Sequence, residues 1–293
     1  MIQIALLAAL AVGTLFFGSA VFLAWRRSRM APSAEGAAMG AVAYFFDTLG
    51  IGSFAPTTAY LKFRKLIPDE LIPCTMIVGY GLPATLQGFV FIGGVQIDPL
   101  LLMAGIAAAI VGGVLGVGVA AALPVRPVRF IMGVGLLIAA ASFTASALGV
   151  MPVGGAATDL GPIPFAIVVV ASFVLGVLVN LGIGNFAPTL VLVSLLGMDP
   201  RAAFPLMAGS AGLITLIAGV RIIRLRPLNM GLIAGMTLGG IPAVLVAAFI
   251  VKSLPIAQLR WGVIVVVTYA AAVMLYAALA PSPAPLAEDV EAA

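Results

Sequence analysis

One nine-residue phrase is written twice in this chain. Leu49 to Thr57 reads LGIGSFAPT and Leu181 to Thr189 reads LGIGNFAPT; eight of nine positions agree at an offset of 132. Both copies interrupt long apolar runs. Gly50, Gly52, Gly182 and Gly184 break any helix that reaches them and let the backbone approach a ligand closely. Pro56 and Pro188 suit the first turn of a new helix, where a missing N–H costs little. Each copy therefore predicts a helix, a break and a second helix. Paired interrupted segments in two halves of an apolar chain point to the binding site of a secondary transporter.

The break matters because the surrounding sequence belongs in a bilayer. A soluble domain carries about a quarter charged residues, whereas this chain has 8% charged and 63% hydrophobic residues. Its mean hydropathy is +1.26, and it reads as an all-α integral membrane protein. The net charge of +4 does not indicate nucleic acid, because the cations sit in short clusters between apolar runs. Cys74, the sole cysteine, excludes an internal disulfide and any cysteine-pair metal or redox site. The absence of histidine removes the commonest metal ligand and the usual neutral-pH proton carrier. No cofactor and no metal are expected.

Along the chain, Ile2 to Trp25 is long enough to span a ~30 Å core at roughly 20 residues per helix. Its cations Arg26, Arg27 and Arg29 follow the apolar run, opposite to a cleavable signal peptide. Gly36 to Leu61 carries the first motif and ends at Lys62, Arg64 and Lys65. Spans are then expected over Glu70 to Ile92, Leu100 to Leu123 and Phe130 to Val150, with a loop at Pro124 to Arg129 and another through Asp159 to Pro164. Phe165 to Leu196 carries the second motif. Ala203 to Val220, Asn229 to Val251 and Ile256 to Leu279 complete the set, with the cluster Arg221, Arg224 and Arg226 between the first two. The units are an N-terminal helix (1–30), a first repeat (36–150), a second repeat (163–280) and a tail (281–293) whose composition predicts disorder.

Charge decides whether the motif segments cross the membrane or dip in and return. As re-entrant hairpins they put 11 cations on one side and 3 (Arg201, Lys252, Arg260) on the other; as single crossings they give 6 against 8. The positive-inside rule favours hairpins. Each repeat then holds one hairpin and three full spans, an odd number, so the two repeats are inverted. The expected architecture is about seven full transmembrane helices plus two re-entrant broken-helix hairpins, with the N-terminus outside and the C-terminus cytoplasmic.

A helix beginning near Ser53 or Asn185 exposes unpaired N–H groups and about half a positive charge. Two such ends facing one point make an anion site without a lysine or arginine, and no apolar span holds either cation well inside it. The candidate binding residues are Gly50, Ile51, Gly52 and Ser53 at the first tip and Gly182, Ile183, Gly184 and Asn185 at the second. Thr48 with Asn180, and Thr57 with Thr189, are further matched pairs. Gln87, near the middle of its span, lines the cavity or packs against another helix. Asp47 is the acid set well inside an apolar segment, and an intramembrane carboxylate is a functional candidate by default. It is a candidate for proton coupling; the alternatives are an N-cap for the helix after the break and a protonated group bonded to backbone.

The phrases FFDTLGIGSFAPTTA (Phe45 to Ala59) and NLGIGNFAPTLVLVSLLGMDPRAAFPLMAGS (Asn180 to Ser210) resemble the TauE/SafE sulfite-exporter family. The resemblance runs from about residue 36 to 279. It implies a multi-pass transporter of the bacterial cell inner membrane, with a substrate among sulfite, sulfoacetate and other organosulfonates. Gly50, Gly52, Pro56, Gly182, Gly184 and Pro188 match its glycine-rich signature ending in proline. Ser53 and Asn185 stand where many members have a third glycine, which leaves the substrate open within the family. The cysteines of thiosulfate-handling relatives are absent.

An uncoupled anion channel or uniporter of the same architecture is the competing reading. A retinal protein would need a Schiff-base lysine in the last span, and Ile256 to Leu279 has none. An intramembrane enzyme would need a nucleophile with a base or metal, so no enzymatic activity is expected. The expected partners are a small anion and the lipid bilayer. A homodimer is compatible with spans apolar all round, which lipid explains equally well.

Overall fold

The computed structural model describes residues 2–50, 52–122, 124–148, 160–179, 185–253 and 256–279. Their helices are α1 (Ile2–Ser28), α2 (Ala34–Thr48), α3 (Phe54–Arg64), α4 (Ile72–Gly94), α5 (Pro99–Ala122), α6 (Val125–Ala147), α7 (Pro162–Val179), α8 (Phe186–Leu195), α9 (Ala203–Leu225), α10 (Met230–Ser253) and α11 (Ile256–Leu279). Short 3₁₀ turns at Asp69–Leu71 and Pro200–Ala202 precede α4 and α9. Seven helices (α1, α4, α6, α7, α9, α10 and α11) are long and apolar enough to cross a membrane. α5, 24 residues without a charged side chain, also has the length of a span.

The duplication is visible in the elements. An offset of 131 carries α4 onto α9 and α5 onto α10 residue for residue. An offset of 132 carries α3 onto 186–196, where α8 lies. The equivalent helices α4 and α9 pack antiparallel: a Cβ at Gly88 would meet Ala208, and one at Gly212 would meet Ala84 and Thr85. α6 and α11 also run opposite ways, since Gly133, near the start of α6, meets Leu275, near the end of α11. Equivalent helices pointing in opposite directions are what inverted repeats require; parallel repeats would align them.

Both motif segments are re-entrant. Gly36 meets Leu232 and Gly40 meets Met236, so α2 runs parallel to α10 and Thr48 ends level with residue 244, past the middle of that helix. Arg64 Nε, in the last turn of α3, then lies 2.7 Å from Glu35 Oε1 in the first turn of α2. Tyr60 donates to the same oxygen at 2.8 Å. The arms therefore start and finish together. Arg64 first, then Tyr60, hold the Glu35 carboxyl below its usual range.

The second segment mirrors this from the opposite end. Gly105 meets Ser172 and Gly176 meets Ala109, so α7 runs parallel to α5 and Val179 ends level with residue 112, near its middle. α9 begins where α4 ends, with the Phe91 and Phe204 rings 4.9 Å apart. That is also the end from which α5 and α7 start, so α7–α8 dips in and returns. At 10 residues, α8 is about 15 Å long and reaches only half-way across a bilayer core. The 18 residues of α7 give it the length of a span, yet it stops at mid-depth because its first turns stand beyond the start of α5.

Glycines set these contacts. A side chain at Gly112 would strike the Phe173 carbonyl and one at Gly239 the Ala37 carbonyl, the close backbone approach that small residues permit between membrane helices. Each hairpin thus packs against the middle span of the other repeat. α1 lies in the α4–α9 seam, with Leu10 against Gly88 and Gly212 and Phe17 against Gly81 and Gly219. Pro83 removes the N–H that would bond the Gly79 carbonyl; Thr237 on α10 donates to that carbonyl instead, at 2.9 Å.

Some boundaries differ from the sequence reading. α6 begins at Val125 rather than Phe130, placing Arg126, Pro127 and Arg129 in its first turns, where proline is tolerated. α9 continues through Arg221 and Arg224 to Leu225 rather than stopping at Val220. α7 starts at Pro162, inside the stretch read as loop. The tail from residue 281 lies outside the described residues. Cations at the ends of α1, α3 and α9 and at the start of α6 share one end of the bundle, as the re-entrant reading required.

Replacing Glu35→Cys and Arg64→Cys in a Cys74→Ser background tests the hairpin. A short thiol crosslinker should join the pair in nearly every molecule. Helices of 15 and 11 residues laid end to end would separate the two positions by about 39 Å, and no crosslink would form.

Candidate functional site

The first break is held open by its glycines. Gly50 has φ +98° and Gly52 φ +90°, the left-handed region that L side chains rarely occupy. Gly50 is buried against Val266 of α11 at 3.7 Å, while a Cβ at Gly52 would meet nothing within 4 Å. The chain therefore turns beside open space.

Polar side chains gather at this turn. Asp47, 4% exposed, accepts the backbone N–H of Ser53 at 2.7 Å. Ser53 is the residue on which α3 begins, and Pro56 stands in its first turn. Gln87, on α4 and fully buried, donates to Asp47 Oδ2 at 3.3 Å and to Thr48 Oγ1 at 3.2 Å. Thr48 donates to the Tyr44 carbonyl at 2.7 Å. One turn into α3, Thr57 bonds the Tyr80 hydroxyl of α4 at 2.7 Å, and the Tyr80 ring lies 4.6 Å from that of Tyr44. Among the described residues Gln87 Oε1 has no hydrogen-bond partner, and Ser53 Oγ, beside the Asp47 carboxyl, has none of good geometry. Buried polar atoms are nearly always satisfied by protein or water, which makes this break the polar place to examine for binding.

The structure thus brings Asp47, Thr48, Ser53, Thr57 and Gln87 together. Asp47 Oδ1 accepts an N–H at the start of α3, a bond that both its N-cap reading and its protonated, backbone-bonded reading contain. An acidic group of the protein's own therefore occupies the first helix end. When ionised it would repel a second anion about 5 Å away by about 3 kcal/mol at an effective dielectric of 20. Asp47 has no lysine or arginine partner among the described residues, whose ion pairs are Lys62–Asp69 and Arg64–Glu35.

The second tip is built differently. Asn185 is the residue on which α8 begins, and its side chain makes no cap to that helix. Its Nδ2 donates to Ser210 Oγ on α9 at 3.2 Å, and Ser210 donates to the Met207 carbonyl at 3.0 Å. Thr189, one turn on, is buried. The position equivalent to Asp47 is Val179, so no carboxylate competes for the N–H groups of α8 from there. Asn180, Gly182, Ile183, Gly184 and, at the first tip, Ile51 lie outside the described residues. The two clusters approach the α4–α9 crossing at one level, since Gly88 follows Gln87 and backs Ala208, and Ser210 lies between Ala208 and Gly212.

Tyr80 and Ser210 read in the sequence as ordinary polar residues bonded to their own helix's carbonyls; Ser210 does make that bond, to Met207, and each also joins a tip. Tyr80 stands seven residues before Gln87, two turns along the same face of α4, which is a readable signal. Ser210 carries none, because only the folding of α8 against α9 brings it to Asn185. Among the described residues no three of His, Cys, Asp and Glu gather. No protein-family model, curated protein or solved structure matches the chain.

Tyr80→Phe should destabilise the protein by roughly 1–3 kcal/mol, the cost of leaving a buried hydroxyl without its partner. Adding Thr57→Val should recover part of the loss. Thermal unfolding of both variants in detergent checks this; a double mutant no better than the sum of its parts would mean the bond is not a buried pair.

Proposed function

We propose that the chain is a secondary transporter of a small sulfur-containing anion, working by alternating access between two re-entrant hairpins. The observation that carries the reading is that two broken helices, entered from opposite ends of an inverted-repeat bundle, stop at a similar depth beside the α4–α9 crossing. Irregular backbone at that depth persists only where protein or a water-filled cavity covers it, and helix N-termini there favour anions. The α8 end, with Asn185 and Thr189 and no carboxylate from the position equivalent to Asp47, is the better anion seat of the two. Sulfite, sulfoacetate and other organosulfonates are the substrates that the TauE/SafE resemblance brings, and a bacterial inner membrane is the corresponding location. The end carrying 11 of the 14 cations faces the cytoplasm under the positive-inside rule, which puts the N-terminus outside and the C-terminus inside.

Calorimetric titration of the purified full chain with sulfite and small sulfonates tests the seat. Asn185→Leu should weaken binding by roughly 1–3 kcal/mol while leaving the unfolding temperature within a few degrees. Unchanged affinity would remove Asn185 from the site.

A further inference from the structure

We propose that the first tip is a site for a small, hard monovalent cation of the Na⁺ class, held by Asp47, Ser53 and Gln87. Gln87 Oε1 is without a partner and Ser53 Oγ without one of good geometry; both are oxygens, and both residues touch Asp47, the buried carboxyl among the described residues. Gln87 Oε1 can only accept. An anion cannot satisfy it; a cation or a water O–H can. Turning the amide over does not help, because its oxygen would then face the Asp47 and Thr48 oxygens that its nitrogen now serves at 3.3 and 3.2 Å.

The donor set fixes the class of ion. It is all oxygen, which suits hard cations rather than copper or zinc. It contains one carboxylate, and no three metal-binding side chains gather among the described residues, so a divalent ion would lack counter-charge. Each carboxylate oxygen accepts one N–H bond and keeps a lone pair. Broken helices are where transporters coordinate Na⁺, and the space beside Gly52 at this break is open. No cation from the protein competes: Tyr44 and Tyr80 are the titratable neighbours from α2 and α4, and the parts of α10 and α11 packed on this hairpin, Leu232, Met236 and Val266, are apolar. The absence of His and Cys pairs excludes a transition-metal centre but not an oxygen-only site.

Loading this site neutralises the carboxylate that otherwise repels an anion between the tips, so cation and anion bind together. That coupling rests on the transporter reading; the site itself does not.

The test is equilibrium binding of ²²Na⁺ to the full chain in nanodiscs, with choline holding ionic strength constant. Wild type should bind Na⁺ saturably near one per chain. Asp47→Asn should abolish binding, and Ser53→Ala, which removes only a hydroxyl without a partner of good geometry, should weaken it at least tenfold. Ser53→Ala keeps the test decisive if Asp47→Asn fails to fold. Absence of saturable Na⁺ binding, equal binding in folded Asp47→Asn, or anion binding that depends on pH but not on Na⁺ would overturn the proposal. Sulfite affinity measured with and without Na⁺ separates the two readings. Na⁺ binding without any sulfur-anion binding overturns the substrate and leaves the cation site, whereas anion binding without Na⁺ binding overturns the cation site alone.

Discussion

A polypeptide inside a bilayer must satisfy every backbone N–H and C=O from its own groups, and this chain breaks its helices where that is hardest. At the first break and at Pro83 inside α4 a specific side chain answers the gap. Asp47 takes the Ser53 N–H, and Thr237 takes the Gly79 carbonyl that Pro83 releases. Gly50 and Gly52 supply the turn that no other residue makes cheaply. The hairpin arms can approach neighbouring helices only because Gly40, Gly112, Gly176 and Gly239 bring backbone against backbone.

The two hairpins share a phrase but not a chemistry. At the first, a buried carboxylate stands on the helix start, and Gln87 Oε1 and Ser53 Oγ lie with it. At the second, Asn185 reaches away from its own helix to Ser210, and the position equivalent to the carboxylate is a valine. Duplication supplied two equivalent frames, and they differ at two positions, Asp47 against Val179 and Ser53 against Asn185. A symmetric pair of anion seats was the sequence expectation; the asymmetry of the side chains argues for one anion half and one cation half.

Much of the fold was legible because bilayer constraints are written locally. Apolar length marks spans, the repeated phrase marks the breaks, and the grouping of Arg26, Lys62, Arg126 and Arg221 with their neighbours distinguishes a hairpin from a crossing. Helix ends were less legible. Pro127 and the arginines around it read as a loop, although a first turn accepts proline, and Arg221 and Arg224 extend α9 because arginine is a good helix former. In the site, Asp47, Ser53 and Gln87 were readable as polar residues out of place. Their pairings were not, since Thr57 with Tyr80 and Asn185 with Ser210 depend on how separate helices dock.

The central claim is coupled movement of an anion through the two tips. Flux of labelled sulfite and small sulfonates into proteoliposomes, under imposed Na⁺ or pH gradients, addresses it most directly. Uphill accumulation driven by a gradient is the result this account predicts. Downhill-only movement, insensitive to either gradient, would contradict it and make the same architecture a channel.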